Sequence, residues 1–275
     1  MNAIDYSHQT IIVTGASSGI GTAFARELAR RGADVILVAR RLDRLEKLAA
    51  ELQMSYHVQA TPIALDLSDP QAGRALAQDL RQRGITITGL VNNAGFGTDG
   101  PFHKENPDTL VDEINVDVAN LVDMTRAFIA SLRSADTGIL VNIASMAAYS
   151  PTPGMAVYAA CKAFVLNFTE ALWFESRGTG LRVLSLSPGL TRTEFFDDLK
   201  GGTYKGNYQT PEQVVHIGLR ALDRGRGPSV QAGSVNKLAT KFPRLLTRKR
   251  TVKISGAFSS RAAATTVDEV AATTP

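Results

Sequence analysis

The sequence has 275 residues, of which 44% are hydrophobic and 20% charged, and its net charge is +4 at pH 7. This composition is sufficient to bury a substantial core, and α/β chains of this length often form a single domain. No uninterrupted apolar run approaches the ~18 residues of a membrane-spanning helix, and the N-terminal residues have neither the basic region nor the apolar region of a secretion signal. We therefore expect a soluble cytoplasmic protein.

The positive charge belongs to one segment of the chain. Residues 1–223 contain 20 Lys and Arg against 24 Asp and Glu, whereas residues 224–261 contain ten Lys and Arg and no acidic residue. The single cysteine, Cys161, cannot form an intramolecular disulfide, which is typical of a protein in a reducing compartment. Its apolar surroundings indicate a small buried hydrophobic residue rather than a reactive thiol.

Predicted strands and helices alternate along the chain. Short apolar or β-branched runs predict strands at 10–15, 34–39, 61–66, 87–95, 138–145 and 181–189. Apolar residues at helical spacing predict helices at 20–32, 42–52, 70–84, within 107–134, in the segment that contains Tyr158, and from Pro211 onward with Thr210 as N-cap. This alternation predicts an α/β fold, in which a parallel sheet is covered by helices on both faces. Residues 190–209, with several glycines and aromatic residues, interrupt the alternation and are expected to form a lid.

The first predicted strand is followed by TGASSGIG, residues 14–21. Gly15, Gly19 and Gly21 allow the backbone to turn tightly and to approach a pyrophosphate at the start of the next helix. The spacing GxxxGxG differs from the GxGxxG of the general dinucleotide fingerprint. Its position between a strand and a helix nevertheless favours a dinucleotide site over a simple tight turn.

Tyr158 and Lys162, in YAACK, lie four residues apart and therefore on one face of a helix. A lysine ammonium beside a phenol favours the phenolate and lowers the tyrosine pKa from its ordinary value of about 10. The pair therefore indicates a tyrosine that donates and accepts a proton. By itself, the same spacing is also typical of a packed ring beside a solvated amine.

Six features together resemble the short-chain dehydrogenase/reductase family. They are TGxxxGxG at 14–21, NNAG at 92–95, Asn115, Ser145, YxxxK at 158–162 and PG at 188–189, in matching order and spacing. The resemblance covers about residues 8–232. It implies a single Rossmann-fold catalytic domain at residues 1–232, with a seven-stranded parallel sheet, and an oxidoreductase that transfers a hydride between a nicotinamide and a carbonyl or alcohol.

The resemblance assigns a catalytic tetrad to Asn115, Ser145, Tyr158 and Lys162. It implies that Tyr158 exchanges a proton with the carbonyl oxygen, which Ser145 orients. Lys162 would lower the Tyr158 pKa and hold the nicotinamide ribose, and Asn115 would position a water molecule that connects Lys162 to solvent. Taken singly, Ser145 is also a typical turn cap, and Asn115 a typical partner of buried backbone groups.

The resemblance also places residues around the cofactor and the substrate. Cofactor contacts are expected from Gly15, Ser17, Ser18, Gly19, Ile20, Gly21, Arg40, Asp66, Leu67, Asn92, Ala94, Gly95, Tyr158, Lys162, Pro188, Gly189, Thr191 and Thr193. An aliphatic or ring ketone is expected near Phe96, Met146, Met155, Phe195 and Phe196. The alternative is that the aromatic residues of the lid pack on the lid itself. No metal site is expected.

The end of the second predicted strand indicates which nicotinamide cofactor binds. Family members that prefer NAD usually have an acidic residue there, but this chain has Ala39 followed by Arg40 and Arg41. A guanidinium group forms a charge-assisted pair with a phosphate, so the sequence favours NADP, with Arg40 as the main contact. The alternative is that the two arginines begin a solvated helix and that NAD binds.

The C-terminal residues give less specific signals. Within the basic extension 233–253, an amphipathic helix on anionic lipid is one interpretation; an element interrupted by Pro243, packed on the lid or on a partner subunit with its charges in solvent, is the favoured one. No aromatic stacking platform accompanies the charge, so nucleic acid is not expected. Residues 254–275 are expected to be a disordered tail. The apolar helix around Tyr158 predicts a homodimer or homotetramer, because family members commonly pair through it.

Two other functions are alternatives for a chain with this sequence. Epimerases and dehydratases among the extended relatives usually have TGxxGxxG and a larger C-terminal domain. A non-catalytic NADP-binding sensor or scaffold would keep the fold without the chemistry, but the intact tetrad argues against it. The sequence therefore predicts an NADP-dependent carbonyl reductase or alcohol dehydrogenase with a small-molecule substrate.

Overall fold

A seven-stranded parallel sheet forms the centre of the protein in a computed structural model, which describes residues 4–197, 207–233 and 246–257. The strands are β1 Thr10–Thr14, β2 Asp34–Ala39, β3 Ala60–Ala64, β4 Gly89–Asn92, β5 Ile139–Ile143, β6 Arg182–Ser187 and β7 Ser229–Gln231. The predicted α/β fold is confirmed. The three-residue strand β7 was missed by the pattern of apolar runs because it is too short to show one.

Helices cover both faces of this sheet. They are α1 Gly19–Arg30, α2 Leu42–Tyr56, α3 Ala72–Gln82, α4 Pro107–Ile114, α5 Leu121–Ser134, α6 Ala156–Glu175, α7 Glu194–Asp197, α8 Pro211–Asp223 and α9 at 248–257. The Thr210 side chain accepts from the Gln213 amide and the Gln213 side chain accepts from the Thr210 amide, so the predicted start of α8 is a complete capping box.

The two largest clusters of the core lie on opposite faces of the sheet. Ile11 and Val13 of β1 pack in the cluster that includes Phe24 of α1, whereas Ile12 packs in the cluster that includes Met124 of α5. Successive residues of a strand point to opposite faces. A strand buried on both faces therefore needs the continuous apolar run that the sequence shows.

The sheet order is β3-β2-β1-β4-β5-β6-β7, so the chain reverses its direction of growth between β1 and β4. In parallel α/β sheets, this reversal opens a crevice at the carboxyl ends of the strands, and ligands bind there. The glycine turn follows β1, and the NNAG sequence spans the end of β4 and the residues after it. Both motifs therefore lie at the same crevice.

The long helix predicted within 107–134 is not regular. Between α4 and α5, the segment Asn115–Asn120 is a π-helix. Such single-turn insertions occur frequently at functional sites, because they change which residues of a helix face the interior. Here the insertion coincides with the predicted position of a catalytic residue.

The segments after β6 are described only in part. In the predicted lid at 190–209, Thr191 and Gln209 form an isolated β-bridge, and residues 198–206 lie outside the described residues. Helix α9 extends four residues into the predicted tail, so 254–257 are ordered, and 258–275 lie outside the described part. None of the described helices is long and apolar enough to cross a membrane.

Candidate active site

A cavity of about 1340 Å³ lies at the carboxyl ends of the strands. Its wall combines the glycine turn with the residues that follow β2, β4, β5 and β6 and with the start of α6. The predicted site residues that line it are Gly15, Ser17, Ser18, Gly19, Ile20, Arg40, Asp66, Leu67, Ala94, Gly95, Phe96, Ser145, Met146, Met155, Tyr158, Lys162, Pro188, Gly189, Thr191, Thr193 and Phe195. The fold therefore brings most of the predicted residues to one place.

The glycine turn is too crowded for side chains. Gly15 and Gly19 have positive φ angles of 64° and 53°, which L-residues with a side chain rarely adopt. A Cβ on Gly21 would collide with the Gly15 carbonyl oxygen and lie 2.6 Å from Asn93 Nδ2. Because Ser18 makes no side-chain cap, the first amides of α1 remain available to an anion at the cavity. This arrangement fits a dinucleotide pyrophosphate.

Basic groups gather next to this turn. The Arg41 guanidinium donates to Ser17 Oγ at 3.0 Å and pairs with Glu194 at 2.9 Å, and Arg44 pairs with the same carboxylate at 2.6 Å. Arg40 lines the cavity and acts electrostatically on Asp66. Within the described chain, no hydrogen bond or ion pair holds the Arg40 guanidinium, so it can pair with a phosphate. This donor set fits the 2′-phosphate of NADP.

Ser145 and Tyr158 meet on the opposite side of the cavity. Ser145 follows β5, and its hydroxyl accepts from the Ala147 amide at 3.1 Å, so it also caps the short turn that follows. Its side chain lies close enough to Tyr158, in the first turn of α6, to lower the pKa of that phenol. The alternative role of Ser145 as a turn cap and its predicted place in the site are thus compatible.

Lys162 lies one turn further along α6 and is 5% exposed. Its ammonium is 5.6 Å from the centre of the Tyr158 ring and donates to the Ile143 carbonyl at 3.3 Å. Burial raises the pKa of Tyr158, and the Lys162 ammonium acts against this rise. The Lys162 ammonium acts in the predicted direction, but the net shift of the Tyr158 pKa is upward, because removing the phenolate from water outweighs the attraction of the ammonium.

The residue that contacts Lys162 directly is Asp117, which the sequence analysis did not single out. Asp117 Oδ2 lies 2.9 Å from Lys162 Nζ, and Asp117 Oδ1 accepts from the Phe96 amide at 3.1 Å. Asn115, at the start of the π-helical segment, is not among the described residues that line the cavity. The predicted role of Asn115, which is to position a water molecule that connects Lys162 to solvent, stays a prediction, and the π-helical turn places Asp117 in the interior.

Two loop residues fit tightly against these groups. A Cβ on Gly95 would lie 2.7 Å from Asp117 Oδ1 and 3.0 Å from Lys162 Nζ, and one on Gly97 would lie 2.8 Å from Cδ2 of the Tyr158 ring. The glycine of NNAG is therefore required because the backbone passes directly over the ion pair.

Asn92 does not line the cavity, which corrects its predicted role as a cofactor contact. Its side chain is 4% exposed and donates to Thr125 at 3.0 Å and to Asn142 at 2.9 Å. Asn93, the next residue, lines the cavity and donates to the Thr14 carbonyl at 2.9 Å. The first asparagine of NNAG thus joins β4 to its neighbours, and the second joins the β4 loop to the glycine turn.

The wall beside Tyr158 is apolar near the ring and polar further out. Phe195 of α7 packs on Tyr158 with 5.3 Å between ring centres, and Met155 is buried against both. The side chain of Phe196, also predicted near the substrate, lies outside what the structure describes. The outer wall contains polar residues that the sequence did not single out: Thr98, Asp99, Lys104, Glu105, Asn106, Thr109 and Asp112.

Cys161 takes no part in this chemistry. It is 5% exposed, and burial raises the pKa of its thiol to about 12. The expectation of a small buried hydrophobic residue is confirmed, because a thiol that remains protonated is a poor nucleophile.

Comparison with known proteins agrees with this geometry. A family model described as short chain dehydrogenase matches residues 9–202. An NADP-dependent 3-hydroxy acid dehydrogenase of Schizosaccharomyces pombe is 35% identical over 78% of this chain and 87% of its own length. A sulfoacetaldehyde reductase of Chromohalobacter salexigens is 38% identical over 77% of this chain and 82% of its own length.

Solved structures show the same fold. A short-chain dehydrogenase from Sphingobium yanoikuyae in complex with NADPH is 31% identical, covers 86% of this chain and 94% of its own, and has a TM-score of 0.77. The match includes the glycine turn, the β4 loop and the Tyr158–Lys162 pair within the residues of the family model. The chain therefore belongs to the short-chain dehydrogenase family.

Proposed function

We propose that the protein is an NADP-dependent reductase that transfers a hydride between the nicotinamide and the carbonyl carbon of a ketone, or the reverse from a secondary alcohol. The observation that carries the proposal is the meeting of Ser145, Tyr158 and Lys162 on the wall of the cavity that also contains the glycine turn. The proton donor and the residues proposed to hold the cofactor therefore line the same cavity. The NADPH-bound relative from Sphingobium yanoikuyae supports the choice of cofactor.

In this proposal, some residues bind the cofactor and others transfer the proton. The glycine turn and the start of α1 hold the pyrophosphate, and Arg40 and Arg41 hold the 2′-phosphate. When bound, the nicotinamide supplies the hydride. Ser145 donates to the substrate oxygen, and Tyr158, whose raised pKa keeps it protonated, gives its proton to that oxygen. Phe195 and Met155 exclude water from one side of the reacting group.

The ketone has an apolar part and a polar part in this proposal. Phe195, Met155 and Phe96 offer an apolar wall near Tyr158, whereas Asp99 and Lys104 make the outer wall polar. A substrate with an apolar part beside Tyr158 and a polar part at the outer wall would contact both regions favourably. A series of ketones of increasing size, with and without a terminal polar group, should be consumed with NADPH at rates that rise with both features. Equal rates across the series would contradict this substrate class.

The cofactor assignment predicts that Arg40→Asp changes the preference between the two nicotinamide cofactors. The substitution removes a charge-assisted contact with the 2′-phosphate and places a carboxylate there, so we expect the ratio of NADPH to NADH affinity to fall about 100-fold. Titration of nicotinamide fluorescence with each reduced cofactor measures the ratio.

Arg44→Ala is the matched control for this substitution. Arg44 pairs with Glu194 but is not among the described residues that line the cavity. Its removal should leave the ratio within about twofold. An unchanged ratio in Arg40→Asp, together with a large change in Arg44→Ala, would show that the phosphate contact is misassigned.

We also propose that the protein forms a homodimer or homotetramer through α6. On this helix Ala160, Phe164, Asn167 and Ala171 are exposed, although the sequence predicts a helix buried nearly all round. Phe164 stacks on Phe168 with 5.7 Å between ring centres and is 40% exposed. A second copy would remove this apolar strip from water.

The assembly predicts that Phe164→Asp weakens self-association. A charge in an apolar interface costs several kcal/mol, so we expect the dissociation constant to rise at least about 100-fold. Light scattering across a concentration series measures it. Phe102→Asp, which removes a 65% exposed phenyl group outside α6, should leave the mass unchanged. A wild-type protein that is monomeric at all concentrations would refute the assembly.

We also propose that the protein is cytoplasmic and that its basic extension is a packed element. The single buried thiol supports a reducing compartment such as the cytoplasm. Of the basic extension, residues 234–245 lie outside the described residues. In α9, Arg248, Lys249, Arg250 and Lys253 are exposed, and a Cβ on Gly256 would touch Pro153 at 3.4 Å. The close approach of Gly256 to Pro153 and the exposure of the basic side chains support a packed element with its charges in solvent.

A further inference from the structure

Two buried carboxyl groups lie behind Lys162, and the proposed reaction uses neither of them. Glu113, near the end of α4, is 0% exposed, and Asp117, one turn later in the π-helical segment, is 1% exposed. Ionised carboxylates are costly to bury unless they are paired. Asp117 pairs with Lys162 at 2.9 Å, but Glu113 has no ion pair in the described chain.

Glu113 is held at one oxygen only. Its Oε2 accepts from Thr98 Oγ1 at 2.9 Å, whereas Oε1 is buried without a hydrogen-bond partner among the described residues. If Glu113 is ionised, its Oε1 is a buried acceptor without a donor. If Glu113 is protonated, Oε1 carries a hydrogen atom that it can donate. Thr98 lines the cavity, so its hydroxyl connects Glu113 to the space that substrate and solvent enter.

Both carboxyl groups hold the same loop. Asp117 accepts from the Phe96 amide, and Glu113 accepts from the Thr98 hydroxyl two residues later. The titratable groups that act on Glu113 or feel its charge are Asp117 next to it and Tyr158, Cys161 and Lys162 on α6. Cys161 keeps its proton, so the groups that remain are Glu113 and Asp117, which act on each other electrostatically, Lys162, which contacts Asp117, and Tyr158, whose ring lies beside Lys162.

We propose that Glu113 is the proton reservoir for Tyr158, connected to it through Asp117 and Lys162. This inference rests on the proposed function. In ketone reduction, Tyr158 gives its proton to the substrate oxygen as the hydride reaches carbon. Lys162 then returns a proton to the phenolate, Glu113 gives its Oε1 proton to the Asp117 carboxylate, and Asp117 passes that proton on to Lys162. Each group between the ends gains one proton and loses one, so the only net change is a proton moved from Glu113 to the alcohol.

The direction of the pH dependence follows from the protonation of Glu113. Burial raises the pKa of Glu113 to about 7, and the hydrogen bond from Thr98 limits this rise. Below that pH the reservoir is loaded and supports reduction, and above it the reservoir is empty and supports oxidation. The rate of reduction should therefore fall, and the rate of oxidation rise, as the pH increases through about 7.

Glu113→Gln separates proton transfer from loop support. The amide keeps an oxygen that accepts from Thr98 and nearly the same volume, but it does not titrate. We expect the single-turnover rate of reduction to fall about tenfold below pH 7, less than the loss of a group that touches the substrate, and its dependence on pH near 7 to disappear. NADPH affinity and melting temperature should stay close to the wild-type values.

Thr98→Val is the matched control. It removes the hydroxyl that holds Glu113 and leaves the carboxyl group able to titrate. If Glu113 only supports the loop, Glu113→Gln keeps both the activity and the pH dependence of the wild-type protein, because its amide oxygen still accepts from Thr98, whereas Thr98→Val loses activity. If Glu113 stores the proton, a single turnover of Thr98→Val still depends on pH, with the transition moved to higher pH, and Glu113→Gln loses the dependence.

Infrared difference spectra provide a readout without turnover. A buried protonated carboxyl group has its own carbonyl band, which should titrate near pH 7 in the wild-type protein, titrate at higher pH in Thr98→Val, and be absent in Glu113→Gln. The absence of this band from the wild-type protein, or an unchanged pH profile in Glu113→Gln, overturns the relay. Failure of the wild-type protein to bind NADPH or to consume any ketone instead overturns the proposed function, whatever the band shows.

Discussion

Replacing Tyr158 with phenylalanine should reduce ketone turnover about 1000-fold and leave NADPH affinity within about twofold. The substitution removes the only atom that gives a proton to the substrate oxygen and changes little volume. The ring keeps its contact with Phe195, whose centre lies 5.3 Å away, so the apolar wall should stay in place. Steady-state kinetics with the best ketone, together with fluorescence titration of NADPH, measures both quantities.

Tyr149→Phe is the control for this experiment. Its hydroxyl lies 3.4 Å from Ser187 Oγ and accepts from Gln231 at 2.7 Å, but Tyr149 is not among the described residues that line the cavity. Its loss should change turnover by less than about threefold. If Tyr158→Phe retained wild-type turnover, another group would supply the proton, and the mechanism proposed for this site would be wrong.

The sequence predicted those parts of the site that depend on local chain geometry. Gly15 and Gly19 need positive φ angles, which a glycine pattern between a strand and a helix indicates directly. Tyr158 and Lys162 share a face because they are four residues apart in one regular helix. Their common cavity follows from the parallel sheet, whose carboxyl ends meet at one edge.

The parts that sequence reasoning missed depend on departures from regular structure. The π-helical turn at Asn115–Asn120 moves Asp117 to Lys162, and a pattern of helical spacing has no signal for one extra residue in a turn. Glu113 and Asp117 are two acidic residues four positions apart in a segment that is buried in the structure. Their spacing was a weak sequence signal for carboxyl groups at the site. Asn92 was misassigned because the motif NNAG does not indicate which of its asparagines faces the cavity.

The net pKa of Tyr158 was misjudged for a different reason. The prediction considered the charge of Lys162 but not the loss of water around the phenol, and burial is the larger influence. The carboxylate of Asp117 also offsets part of the Lys162 charge, because it lies 2.9 Å from the ammonium. A neutral phenol beside a neutralised lysine is suited to donate a proton, which agrees with the reductive direction proposed here.

Replacing Lys162 with methionine should destabilise the fold as well as stop turnover. The ammonium side chain is 6% exposed and its partner Asp117 is 0% exposed, so the substitution leaves an uncompensated buried carboxylate. Breaking such a pair costs about 3–5 kcal/mol in the free energy of unfolding. Urea unfolding, followed by circular dichroism, measures this quantity, and Lys47→Met, at an exposed lysine of α2, should change it by less than about 0.5 kcal/mol.

The destabilisation should depend on pH with a defined sign. Burial already raises the pKa of Asp117, and without the ammonium the folded-state pKa rises further. A carboxyl group whose folded pKa is above its unfolded value, about 3.9, favours the folded state when protonated. Lys162→Met should therefore lose little stability in acid and progressively more as the pH rises above about 4. The double variant Asp117→Asn, Lys162→Met leaves no charge at either position of the pair, so it should recover most of the loss and show no pH dependence from Asp117. If the two variants instead had the same stability at every pH, the Asp117 carboxylate would not be the group that Lys162 neutralises.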